Sequence, residues 1–302
     1  MLSVLIPVYN IDCSVLVEDL LLKLNDEIPY EIICIDDAST MDLINFTKIK
    51  NNPNVKHFRQ ETNLGRSSIR NLLVEKSKYP WLLFLDADTL PVRTDFIQKY
   101  VDAIQINPDF NIFFGGIQYR SNDLNDSNHL RYRYGMERES NSVEKRNKTP
   151  HLSMLMSNTL VHRSIFEKVQ LNPIIKKYGH EDAVFSYDLY KKGYKVKHID
   201  NPIYHTGIES NDIFLEKTKI AVENLLNLYE LGILNPKVNK LLQTFLQLKS
   251  YGITSILSKI YQHLGSRFEN KLNKENPSLF LFDMCRLSYL SFLYHSKKQK
   301  LS

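Results

Sequence analysis

The stretch Trp81-Leu82-Leu83-Phe84-Leu85-Asp86-Ala87-Asp88 sets five apolar residues directly against two carboxylates. A short continuous apolar run that ends abruptly in charge reads as a strand buried on both faces of a parallel sheet. Leu2 to Val8, Glu31 to Ile35, Val55 to Phe58 and Ile112 to Phe114 read the same way, each ending at polar residues or glycine. Between these runs the spacing predicts helices. Val15, Leu16, Leu20, Leu21 and Leu24 share one stripe, as do Ile69, Leu72 and Leu73 after a turn at Gly65. Alternating strands and helices over the first 116 residues predict an α/β class, with a Rossmann-like, mostly parallel sheet covered by helices on both faces.

Farther along, Arg120 to Pro150 is rich in Asn, Ser, Arg, Asp and Glu and poor in aliphatics, so a long exposed, mobile segment is expected there, of the length that functional loops have. Order returns at His151, with a helix near Ser164 to Val169, another after His180, and a strand-like Lys-Val-Lys-His-Ile run ending at Asp200. Beyond Asn211 the pattern is helical, broken at Pro236, Gly252 and Pro277. The division expected is a strand-bearing domain over 1–210 and a helical C-terminal extension over 211–302.

The 302 residues are 43% apolar and 24% charged, the composition of an ordinary globular protein rather than a disordered or membrane-spanning one. A net charge of +5 suits polyanionic ligands, but no basic helix or basic-aromatic alternation stands out, so no nucleic acid partner is expected. Cys13, Cys34 and Cys285 have no metal-like spacing and point to a reducing, cytoplasmic compartment. The opening apolar run reaches Pro7 and Asn10 too soon for a leader, and no cleaved leader is expected.

Ligands of open parallel sheets bind beyond the carboxyl ends of the strands. Those positions are polar here: Pro7, Tyr9 and Asn10 after the first strand, Asp36, Asp37 and Ser39 after the second, Asp86, Asp88 and Thr89 after the fourth. Carboxylates gathered at one rim repel one another unless a cation or hydrogen-bond donor holds them. In extended backbone, Asp86 and Asp88 fall on one side, where hard oxygen ligands suit Mn²⁺ or Mg²⁺ together with phosphate oxygens; a helix cap or a turn is the plain alternative. Arg66 and Arg70 open a helix after Gly65, with guanidinium groups and backbone N–H groups available to phosphate or simply to solvent. Glu181 and Asp182 begin a helix, where the positive end of the dipole should keep both ionised. His205 closes the series as a metal ligand or an ordinary packed histidine.

Taken in order, LIPVYN, ICIDDAST, NLGRSSIRN, WLLFLDAD and GHEDAVFSYDLYKKGYKV resemble the family 2 glycosyltransferases over about residues 3 to 207. The resemblance implies a GT-A fold for the catalytic domain, and it implies roles. Pro7, Tyr9 and Asn10 would line the nucleoside pocket, Asp37 with Asp36 would meet the donor's base, and Arg66 and Arg70 would face the nucleotide. Asp86 would lie near ribose and metal, Asp88 and His205 would bind the metal, and Asp182, beside Glu181, would be the general base of an inverting enzyme. Where members often carry an aromatic-Asp-Glu triplet, this chain has Leu171-Asn172-Pro173-Ile174-Ile175, so the acceptor contacts differ.

The activity expected is inverting transfer of a sugar from a nucleotide diphosphate donor, UDP-linked by family default, to a hydroxyl of a glycan or lipid-linked acceptor in surface polysaccharide synthesis. A nucleotidyltransferase making nucleotide sugars is the competing enzyme, but the basic Gly-rich loop it needs after the first strand is missing from Val8-Tyr9-Asn10-Ile11-Asp12-Cys13-Ser14. A catalytically inactive nucleotide-sugar-binding domain is the other alternative. Ser278 to His295 is rich in Leu, Phe and Tyr and is followed by Lys297, Lys298 and Lys300. It suits peripheral contact with an anionic membrane face, or packing on the first domain or on a second subunit in a homodimer.

Overall fold

The computed structural model describes residues 1–24, 28–40 and 52–301, with side chains through Gln299, so Lys300 falls outside the described side chains. The strands are β1 (Leu2–Val8), β2 (Tyr30–Asp36), β3 (Val55–Arg59), β4 (Trp81–Leu85), β5 (Thr89–Pro91), β6 (Ile112–Phe114), β7 (Ile117–Gln118), β8 (Asn158–His162), β9 (Lys197–His198) and β10 (Ile203–His205). The α-helices are α1 (Ser14–Lys23), α2 (Arg66–Lys76), α3 (Phe96–Ile106), α4 (His129–Tyr134), α5 (Val143–Lys148), α6 (Arg163–Phe166), α7 (Glu181–Lys191), α8 (Asn211–Glu230), α9 (Lys240–Ser250), α10 (Thr254–Leu272) and α11 (Leu279–Leu301). They form two compact units: Met1–Arg120 with Glu139–Lys176 and Glu181–Gly207, and Ser121–Arg138 with Lys177–His180 and Ile208–Ser302.

The first unit is built on a sheet of order β3-β2-β1-β4-β8-β6-β9. All strands run one way except β8, which is antiparallel to both β4 and β6. All five expected strands form at or within a residue or two of their anticipated ends. The antiparallel β8 was not foreseen, because Asn158 and Thr159 interrupt the apolar pattern; both are fully buried, Thr159 bonding to the Leu155 carbonyl and Asn158 to the carbonyls of Gly116 and Asn201. Apolar residues on one face of the sheet, among them Leu5, Ile33, Ile35, Leu82 and Phe84, pack against Ile69 and Leu73 of α2 and Phe185 and Leu189 of α7. The alternate residues Val4, Ile6, Ile32 and Leu83 are equally buried, which is why the runs are apolar without a break. A second sheet, β5-β10-β7, pairs β10 antiparallel with β5 and parallel with β7.

The segment from Arg120 to Pro150 is largely exposed, as its letters suggest, but it is not structureless. It holds α4, a π-helical turn over Gly135–Glu139 and α5, with Leu130, Arg131 and Arg146 buried. In the second unit the Arg131 guanidinium lies over the Phe214 ring, and in the first that of Arg146 lies over Phe114. Arginine can bury its stem and stack its planar head, so a charged residue type is a poor guide to exposure.

The second unit is helical throughout. Tyr261 of α10 meets Tyr289 of α11, and Thr254 meets His295, so these two helices run antiparallel. Phe282 stacks on Phe214 of α8 and stands edge-on to Tyr134 of α4. Of the two readings of Ser278 to His295, surface contact or packing, packing within this unit takes Phe282, Leu287 and Leu290, which are buried, while Phe280 stays exposed. Among the described residues no helix is long and apolar enough to cross a membrane.

Candidate active site

Strand ends β1, β2 and β4 deliver their polar residues to one rim, where the loops clamp one another. The Asp36 carboxylate accepts from Ser39 N and Oγ at 2.9 and 2.6 Å, and Asn10 N donates to that hydroxyl at 2.8 Å. Asn10 Oδ1 in turn accepts from Thr40 N. Asn10 and Ala38 hold positive φ angles of 54° and 61°, backbone that L-residues adopt at a cost and that clusters at functional sites. Asp37 is buried, its two oxygens accepting the Leu64 and Gly65 amides at 2.7 and 3.0 Å, so it anchors the turn that starts α2. Burial, and secondarily the neighbouring Asp36, lift the Asp37 carboxyl above its ordinary value against those two hydrogen bonds. Tyr9 is exposed beside this clamp, with Pro7 half-buried.

From α2, Arg70 is almost wholly buried and its guanidinium is committed to acids rather than turned to solvent. Nη2 donates to Asp86 Oδ1 at 2.6 Å and Nη1 stands 3.8 Å from Glu181 Oε1. One turn earlier, the half-exposed Arg66 donates to the same Glu181 oxygen at 3.2 Å. Burial would raise the Glu181 carboxyl, but Arg66 and Arg70 outweigh it and hold the group below its usual range; the same balance, led by Arg70, lowers Asp86.

Asp182 behaves oppositely. Its Oδ2 accepts the Met156 amide at 3.1 Å, while Oδ1 is buried with no hydrogen-bond partner. Burial first, then the charge on Glu181, push the carboxyl up to about 7. The helix dipole favours the ionised form of both acids, but at Asp182 desolvation and a neighbouring anion exceed a dipole effect of ~1 kcal/mol and raise its proton affinity, whereas at Glu181 the two arginines reinforce the dipole.

On the far side of Asp86, pairing of β10 with β5 sets His205 opposite Thr89, and His205 Nε2 comes within 3.5 Å of Asp88 Oδ2. Thr206 N and Oγ1 both donate to the Asp88 carbonyl, at 2.8 and 2.9 Å. Tyr119 stacks on the His205 ring. A side chain at Gly207 would put its Cβ 2.7 Å from the Asp88 Cβ, so glycine is what lets this carboxylate lie against the segment that follows β10. Gly207, Thr206 and the Met156 amide were missed in the sequence; only the glycine left a signal, as the small residue after His205.

The fit of a metal ion can be judged from these donors. Among the described residues no group of three or more His, Cys, Asp or Glu side chains could hold one. Asp88 and His205 supply two donors a short distance apart, and Mg²⁺ or Mn²⁺ commonly takes one or two protein ligands and completes its shell with phosphate oxygens and water. The residues fit a cation that arrives with a diphosphate. Asp182, Glu181, Arg70, Asp86, His205 and Asp88 thus form one continuous electrostatic chain, since His205 in turn acts on Asp86.

The mostly parallel sheet with acids at its carboxyl rim is a GT-A-like α/β fold. Residues 3–170 match Glycosyl transferase family 2, and the chain belongs to that family. The match includes Asp37, Asp86 and Asp88 and stops short of Asp182. An uncharacterized glycosyltransferase of Haemophilus influenzae is 32% identical over 116 residues, 38% of each chain. One of Rickettsia bellii is 36% identical over 124 residues, 40% of this chain and 17% of that one. The matched region thus spans about two fifths or less of these relatives' own length. The crystal structure of S. aureus TarS 1-349 aligns over 98% of this chain and 91% of that one, with a TM-score of 0.50 and 15% identity, a likeness of fold.

Proposed function

We propose that this protein is an inverting glycosyltransferase that moves a sugar from a nucleoside diphosphate donor, UDP-linked in the first instance, to a hydroxyl of a glycan or lipid-linked acceptor. The observation that carries this reading is Asp182, whose unpartnered Oδ1 sits in one cluster with Asp86 and whose affinity for a proton is raised to about 7. A base working near neutral pH is best matched at that value.

In the reaction proposed, Asp182 Oδ1 takes the proton of the acceptor hydroxyl as its oxygen attacks the anomeric carbon. The bond from that carbon to the diphosphate oxygen breaks, its electron pair leaves with the nucleoside diphosphate, and configuration inverts. Glu181, held ionised by Arg66 and Arg70, keeps Asp182 basic through its charge. Asp88 and His205 would hold Mn²⁺ or Mg²⁺, which when bound stabilises negative charge on the leaving diphosphate. Pro7, Tyr9, Asn10, Asp36 and Asp37 would form the side of the site that takes the nucleoside, its loops fixed by the Ser39 hydrogen bonds. Three buried free cysteines support a reducing, cytoplasmic setting.

The test is release of nucleoside diphosphate from a panel of nucleotide sugars, with an acceptor panel and Mn²⁺ or Mg²⁺ present. Diphosphate release that requires acceptor and disappears in Asp182→Asn supports the assignment. Release of pyrophosphate instead would make the protein a nucleotidyltransferase, and an unaltered rate in Asp182→Asn would remove the base.

A further inference from the structure

The positive charge of this chain is concentrated in one part of the second unit. Residues 231–268 contain five Lys and Arg and no acid, and residues 284–302 contain four and no acid. Together they exceed the net charge of the whole chain, +5, so the remainder is net acidic. The fold gathers part of both stretches at one end of the helices. Thr254 meets His295 at 3.1 Å, Phe245 stands edge-on to Tyr294, and Lys249 and Lys298 both lie over the Tyr294 ring. His295 reports the resulting potential: burial first, then Lys298 and Lys249, push its imidazole below the ordinary value. Glu230, at the close of α8, pairs with Lys297.

The turn between α9 and α10 and the first turn of α10, at the same end, expose large apolar side chains. Tyr251 is 72% exposed, Ile256 60% and Ile253 38%, while Thr254 and Leu257 between and beside them are buried. Lys259 follows Ile256 by three residues and shares its face of α10. Three exposed apolar residues at one end of the helices, with Lys249, Lys259 and Lys298 at the same end and no acid in residues 231–268, combine the two components of interfacial binding: apolar area for the headgroup layer and positive charge for anionic lipid. A nucleic acid would use the lysines but leaves the isoleucines without a role.

We propose that this end of the second unit docks on an anionic bilayer surface, with Tyr251, Ile253 and Ile256 entering the headgroup layer and Lys249, Lys259 and Lys298 facing lipid phosphate. The surface shares Lys298 with the C-terminal stretch singled out in the sequence, but its exposed apolar residues come from the end of α9 and the start of α10, since Phe282, Leu287 and Leu290 of α11 are buried. The docking is independent of the reaction proposed above.

The experiment is co-sedimentation of the full chain with vesicles of phosphatidylcholine alone and of phosphatidylcholine with a third phosphatidylglycerol. Binding is expected to the second only and to weaken steeply with salt. Lys249→Gln with Lys298→Gln should lower it roughly twenty-five-fold, at about fivefold for each lysine near the surface. Ile253→Ser with Ile256→Ser should also release the protein from vesicles, with an unchanged far-UV spectrum and melting curve. Equal binding to neutral vesicles, or no binding, overturns the proposal. So does retained binding in either double variant, or capture by RNA that the isoleucine variant leaves intact. A concentration-dependent dimer that the isoleucine variant abolishes, with no vesicle binding, makes the face a contact between copies and overturns it equally.

Discussion

At Asp182 the two oxygens of one carboxylate meet different surroundings, one bonded to a backbone amide and one left for a proton. If that proton is the acceptor's, Asp182→Asn should lower kcat by about 10²- to 10⁴-fold while nucleoside diphosphate binding, followed by calorimetry, stays nearly unchanged. The parent's kcat/KM should climb about tenfold per pH unit below pH 7 and level off above it, since the base must be ionised. The same shift bears on stability. The carboxyl is raised from 3.8 to about 7 on folding, so between about pH 4 and 7 the folded chain binds more protons than the unfolded one, and stability falls as pH rises. Asp182→Asn removes that slope: the variant should melt above the parent at pH 8 and close to it at pH 5. Gly207 allows a separate check. Its backbone needs no special φ, but the new Cβ of Gly207→Ala would meet the Asp88 Cβ at 2.7 Å, so the Asp88 segment must shift, and metal-dependent stabilisation by a nucleoside diphosphate should be lost while the far-UV spectrum is kept.

Helix α2 contributes more than a stripe of apolar residues to the core. Ile69 and Leu73 face the sheet, and Arg70 between them carries a charge into the same buried layer, where it meets Asp86 and Glu181. Removing one partner of a buried ion pair strands the other, so Arg70→Met should cost about 3 kcal/mol, toward the low end of the usual range because Asp86 still reaches solvent. Arg70 also lowers the Asp182 carboxyl, and its loss should move the pH midpoint of activity upward, which a pH–rate profile would detect. The helix and its register were legible, because apolar spacing reports which face is buried. The direction of Arg70 was not, because an arginine at a helix start serves phosphate or carboxylate equally well until its neighbours are known.

Across the whole molecule, each unit has its own core, and the second depends on a ring cluster around Phe282. Phe282→Ala should destabilise that unit by about 3–5 kcal/mol, read as an earlier fall in helical signal on denaturant titration. The proposed metal site offers only two protein donors, so Mn²⁺ alone should raise the melting temperature little, and Mn²⁺ with UDP should raise it well beyond the sum of the two alone. Equal stabilisation by UDP in the presence of a chelator would leave Asp88 and His205 without a metal.

Amino-acid order alone determined the alternation of strands and helices, the parallel class of the sheet and the acids at its rim, because strand and helix periodicities are local and a buried strand must be apolar until it ends. What tertiary structure decided was which groups meet. His205 reaches Asp88 through the antiparallel pairing of β10 with β5, and β8 carries polar residues into the buried sheet because Asn158 finds the carbonyls of Gly116 and Asn201 and Thr159 folds back onto that of Leu155. Arg131 and Arg146 are buried because rings from elsewhere in the chain lie under them. Proton affinity at Asp182 follows the same rule: burial and a neighbouring charge set it, and both are properties of packed neighbours rather than of the letters on either side.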